Sequence, residues 1–146
     1  ERHVGVRLRP PEPDDDGDLL ITYGGATFYS RVTNPDDAIV QVFGVAVADI
    51  DPTPELFEAI NEINRSIGFA RAFWVGGQVL VEAEIWGVDV NPSNFQHACW
   101  NIASAIDRFG PSLIEQFGGR PRFEELKEPE YDQGELFRAN GHGPYL

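Results

Sequence analysis

The stretch Phe69–Trp86 constrains the fold more than any other part of the chain. Two alternating runs, Phe-Ala-Arg-Ala-Phe-Trp-Val and Gln-Val-Leu-Val-Glu-Ala-Glu-Ile-Trp, flank the pair Gly76-Gly77. Both central positions of the turn can take φ > 0 when they are glycine, so the pair predicts a two-residue β-hairpin. The register is then set, with Val75 opposite Gln78, Trp74 opposite Val79, Phe73 opposite Leu80, Ala72 opposite Val81 and Arg71 opposite Glu82. Side chains alternate across a sheet. One face therefore carries Ala70, Ala72, Trp74, Val79, Val81, Ala83 and Ile85, wholly apolar and mostly small, as suits a sheet covered by a helix. The other carries Arg71, Phe73, Val75, Leu80, Glu82, Glu84 and Trp86. Apolar anchors edged by charge suit contact with another chain better than either solvent or core.

The elements upstream are also β-rich. Leu19–Tyr23 and Ala26–Thr33 are separated by Gly24-Gly25, a second hairpin signal, and Asn34-Pro35-Asp36-Asp37 is turn chemistry. In the run Ala38–Val47, Ile39, Phe43, Val45 and Val47 share one parity and Val40 and Val42 the other. Such a strand is apolar on both faces, so it is central or its second face meets a partner. Thr53-Pro54 and Asn91-Pro92 each pair an N-cap residue with a proline at the first helical position. From Thr53-Pro54, Leu56, Ile60, Ile63 and Ile67 recur at helical spacing up to Gly68, predicting a helix over 54–67. From Asn91-Pro92, Phe95, Ala98, Cys99, Ile102, Ala105, Ile106 and Phe109 fall on one arc. Leu113 and Phe117 return to that arc beyond Gly110-Pro111, which predicts a single kinked helix over 92–117.

The ends of the chain lack this periodicity. Residues 1–18 read as a possible strand over Val4, Val6 and Leu8, then a Pro- and Asp-rich linker, Arg9–Asp18. An EF-type calcium loop with Gly17 at its sixth position places Glu12, Asp14 and Asp16 correctly but puts Tyr23 where a bidentate Glu is required, so the segment reads as a solvated acidic turn. Residues 19–119 form the expected single domain. Residues 120–146 form an acidic, loosely structured tail that can cover the mixed sheet face with Phe123, Leu126 and Phe137.

Composition narrows the function classes. A net charge of −13 and pI ≈ 4.4 repel a phosphate backbone or an acidic membrane surface, so neither nucleic acid nor membrane is expected as partner. No run approaches a membrane span, and Cys99 alone forms no internal disulfide, so a cytoplasmic location is expected. With Glu1 at its start and no methionine, the chain reads as a processed product or an excerpt of a longer protein. Ten of its eleven basic residues are Arg, a signature of a GC-rich, actinobacterial type of genome.

Catalytic chemistry finds little support. Cys99 sits mid-arc on the apolar helix face, and His97, two residues away, points elsewhere. His97 shares a polar face with Asn94, Asn101, Ser104 and Arg108, with no second metal ligand at helical spacing. Glu82 and Glu84 point the same way, but Arg71 stands opposite Glu82 and makes an ordinary cross-strand ion pair. No Gly-rich phosphate loop lies between a strand and a helix. No catalytic residue, cofactor or metal is therefore expected. What remains is surface: Phe73, Leu80 and Trp86 with Arg71, Glu82 and Glu84, and Trp100, which lies off the core arc of its helix.

The run Leu-Phe-Glu-Ala-Ile-Asn-Glu-Ile-Asn over Leu56–Asn64, the strand pair over Ala70–Ile85, the helix start Asn91–Phe95 and the terminal Phe117-Gly118-Gly119 together resemble the YbjN-type (TY-Chap) bacterial family. That family is similar in fold to the small chaperones of type III secretion and is grouped with them as peptide-binding chaperone-like domains. The resemblance covers roughly Ala26–Gly119. It implies an α+β two-layer sandwich, a twisted antiparallel sheet of about five strands with two main helices on one face, commonly dimeric and without enzymatic activity. Type III chaperones open with a helix before the first strand, whereas here Arg9–Asp18 is rich in Pro and Asp. The piece that packs the sheet edge can be supplied by residues 1–8 or by the tail, or be absent. The expectation is a non-enzymatic polypeptide-binding domain, adaptor or chaperone-like, acting as a homodimer on a polypeptide client. The alternative is a sensory transduction regulator-like interaction module of a longer protein, and an enzyme is a remote third.

Overall fold

Gly76 and Gly77 have φ of +56° and +82°, and the strands they join pair in the register that the turn dictates, from Val75–Gln78 to Arg71–Glu82. This hairpin is one side of a five-stranded antiparallel sheet in a computed structural model, which describes residues 13–23, 26–34 and 36–122. The strands are β1 (Leu19–Tyr23), β2 (Ala26–Thr33), β3 (Ile39–Val47), β4 (Arg71–Val75) and β5 (Gln78–Trp86), in the order β1-β2-β3-β5-β4. Helix α1 (Pro54–Ser66) connects β3 to β4, and α2 (Pro92–Phe117) comes after β5 and a single 3₁₀ turn. The expected strand over Val4–Leu8, the turn glycines Gly24 and Gly25, and the tail from Phe123 lie outside the described residues.

Both helices start where their caps predict. The Thr53 hydroxyl accepts from the Leu56 amide at 3.1 Å, and the Asn91 side-chain oxygen accepts from the Asn94 amide at 2.9 Å. Pro111 lies inside α2, which continues to Phe117 with Leu113 buried, in phase with the earlier core positions. The apolar face of the hairpin, with Ala72, Val79, Val81 and Ala83 buried, joins one core with Leu56, Ile60 and Ile63 of α1 and Ala98, Cys99, Ile102 and Ala105 of α2. Trp74 stays half-buried because its indole N–H needs a partner, the Ile50 carbonyl at 2.9 Å.

Three features escape a reading by periodicity. A bulge between Val45 and Val47 inserts one residue, so Val45 keeps the outer face opposite Leu80 while Val47 turns inward opposite Val79. The shared parity of Phe43, Val45 and Val47 therefore does not extend past the bulge. Next, α2 approaches β3 closely at glycines. A Cβ on Gly44 would stand 2.6 Å from Ile106 Cδ1, and one on Gly110 would stand 2.9 Å from the Ala46 carbonyl oxygen. Finally, the acidic segment is ordered by its own side chains. Asp14 Oδ1 accepts from the amides of Asp16 and Asp18, and Asp18 is buried, paired with Arg31 at 2.6 Å rather than solvated.

Candidate functional site

The helices cover one face of the sheet, and the other displays a cross-strand pattern set by register. One row runs across all five strands as Leu20–Tyr29–Phe43–Glu82–Arg71. Beside it on one side lies Val45–Leu80–Phe73, and on the other Arg31–Gln41–Glu84. The outermost row is Thr33–Ile39–Trp86. Apolar side chains on β2 to β5 thus form a strip through Tyr29, Phe43, Val45, Leu80 and Phe73, and a polar row separates that strip from Trp86.

The charges within this face are already paired. Glu82 is buried, with one carboxylate oxygen accepting from Gln41 Nε2 at 2.8 Å and the other held by the Arg71 guanidinium. The Arg71 pKa is raised above its ordinary value, first by its hydrogen bond to Glu82 and next by the charge of the same carboxylate. Each arginine also lies over an aromatic ring: Arg71 is 5.4 Å from the Phe73 centroid and Arg31 is 4.4 Å from that of Phe43. Phe43 in turn stacks on Tyr29 with centroids 5.6 Å apart. Arg71, Glu82, Gln41, Phe43 and Tyr29 thus hold one another in the free protein, which lowers the cost of ordering them on binding.

Of the residues expected to make contact, the structure brings together Arg71, Phe73, Leu80, Glu82 and Glu84. Phe73 and Leu80 are half-buried cross-strand partners beside the Arg71–Glu82 pair, and Glu84 lies 3.9 Å from Arg71. Trp86 is on the same face and 57% exposed, but six residues from Leu80 along β5, about 20 Å at the rise of a strand. Trp100 is 55% exposed on α2, in the opposite layer, and does not belong to this surface. Tyr29, Arg31 and Gln41 were not legible as members, although the parity of Phe43 pointed to an outer apolar row. Phe69, two residues before β4, is 96% exposed with φ +56°, a conformation uncommon for an aromatic residue.

Elsewhere the chemistry is quiet. Cys99 is buried in the core, and that burial pushes its thiol up to about 12, leaving almost no thiolate at neutral pH. His97 is exposed. Among the described residues, no group of three His, Cys, Asp or Glu side chains is placed to hold a metal ion, and no helix is long and apolar enough to cross a membrane.

No curated protein matches the chain significantly. Residues 4–125, most of its length, match the family described as T3SS (YopN, CesT) and YbjN peptide-binding chaperone 1. The sandwich of five strands and two helices agrees with that match. The chain is a member of this chaperone family, TY-Chap1.

Proposed function

We propose that this domain binds extended polypeptide on the outer sheet face, without catalysis, and works in the cytoplasm as a homodimer. The observation that supports this reading is the strip Tyr29–Phe43–Leu80–Phe73, displayed on the face the helices leave uncovered and bordered by paired charges. Membership in a peptide-binding chaperone family agrees with a polypeptide partner. An unfolded segment presents apolar side chains in no fixed sequence, and a strip of aromatic and aliphatic side chains can accept many of them. Each anchor that becomes buried contributes about 1.5–3 kcal/mol gross, before ordering costs. The Arg71–Glu82–Gln41 network offers polar rims without leaving a bare buried charge in the free protein.

The test uses Phe73→Asp and Trp86→Asp, with a reduced, carboxymethylated and permanently unfolded protein as probe. Phe73→Asp is expected to keep its far-UV circular dichroism and to bind the probe about tenfold or more weakly. Trp86→Asp, beyond the polar row, is expected to lose less. Light scattering on the same samples reads the dimer. Unchanged mass together with unchanged probe binding in both variants would remove the reading.

A further inference from the structure

The last described residues carry the chain from one layer of the sandwich to the other. Helix α2 lies on the inner face and ends at Phe117, and Gly118 and Gly119 turn the chain with φ of +79° and +91°. Gly119 passes so close to β3 that a Cβ there would stand 2.6 Å from Val47 Cγ1, which makes the crossing point a packed one. Arg120 is then fastened to the sheet by two backbone hydrogen bonds with Ala48, at 2.7 and 2.9 Å, and its guanidinium meets Asp49. Two residues later Arg122 Nη1 donates to Gln78 Oε1 at 3.4 Å, and the guanidinium lies 5.9 Å from the Tyr29 ring centroid. Gln78 and Tyr29 both belong to the outer face, on β5 and β2, with β3 between them. The exit of the chain is thus pinned at the border of the strip formed by Tyr29, Phe43, Val45, Leu80 and Phe73.

The segment beyond that exit has the right chemistry and length. Phe123 comes directly after the residue that lies on the outer face, and Leu126, Leu136 and Phe137 come after it. A run over 123–137 can span about 50 Å when extended, whereas crossing five strands takes about 19 Å. The family match also continues through residue 125, past this crossing.

We propose that residues 123–137 of the same chain dock on the outer sheet face as a displaceable occupant that competes with polypeptide for the strip. This rests on the reading of that face as a polypeptide-binding surface and adds its regulation. A tethered occupant acts at high effective concentration, so even a weak contact lowers the apparent affinity for a free partner.

The experiment uses the full chain with Glu130→Cys carrying a nitroxide label; Cys99, buried in the core, does not take the reagent. Paramagnetic broadening is expected at the methyl groups of Val45 and Leu80 and not at the Trp100 indole. Excess carboxymethylated probe should reverse it. The full-chain variant Phe123→Ser/Leu126→Ser/Phe137→Ser should lack it and bind the probe about threefold or more tightly. Broadening that is absent, or equal at Trp100, overturns the proposal. Broadening seen only between molecules, in a mixture of nitroxide-bearing and isotope-labelled protein, overturns the same-chain occupant in favour of a second copy's tail. The two readings fail separately. Tail contact without probe binding removes the polypeptide reading and leaves the occupant, whereas Phe73-dependent probe binding that the tail variant does not change removes the occupant alone.

Discussion

Cys99 illustrates how a single side chain can be chemically silent and still shape the pH behaviour of the fold. The thiol rises from an ordinary 9.0 to about 12 because burial disfavours the thiolate. The folded chain keeps a proton that the unfolded chain releases above pH 9.0, so this contribution is complete below that pH and is lost as pH climbs toward about 12. Wild-type protein should therefore lose melting temperature more steeply than Cys99→Ala across that alkaline window. Parallel slopes in thermal melts of the two proteins would contradict it. The position of Cys99 on the apolar arc was legible from spacing alone. The close packing at glycines was not: Gly110 read only as the neighbour of the kink at Pro111, and nothing marked Gly44, yet a side chain would meet the Ala46 carbonyl at Gly110 and both Ile106 and Phe28 at Gly44.

At the scale of elements, the cap residues, the hairpin register and the passage of α2 through Pro111 all stem from local rules, and the structure agrees with each. The protection of the sheet edge does not. Asn64, on the outer part of α1, donates to the Ala72 carbonyl at 3.0 Å and accepts from the Ala72 amide at 2.8 Å. Its amide thus stands in for a neighbouring strand on the free edge of β4 and blocks addition there. Asn64→Ala should cost about 1–3 kcal/mol, the range for two lost hydrogen bonds. It should also promote concentration-dependent oligomers, since the backbone groups it uncovers seek another strand. Urea unfolding reads the first effect and sedimentation the second. Full stability and unchanged sedimentation would mean that water replaces the amide without loss.

For the whole molecule, one apolar core joins α1, α2 and the sheet, with Leu56, Ile102, Phe28, Val42 and Val81 within a single cluster. Elements that share a core lose it together, so the described domain should unfold in one cooperative transition. Far-UV circular dichroism and tryptophan fluorescence are expected to give coincident midpoints in urea, and an earlier loss of one signal would show that a helix detaches alone. The alternation of side chains, the turn glycines and the helix caps determined by themselves the hairpins, the two helices and an apolar hairpin face suited to helix cover, while the whole sandwich with both helices on one face was implied by the family resemblance. They also determined that Phe73, Leu80, Arg71 and Glu82 share the other face, because parity and hairpin register are local properties of the backbone. Only tertiary structure decided what those residues sit beside. Strand order brought Tyr29, Phe43 and Gln41 from distant parts of the chain to the hairpin, the bulge turned Val47 inward, and the polar row set Trp86 apart. Such juxtapositions depend on contacts between strands far apart in sequence, which no local period encodes.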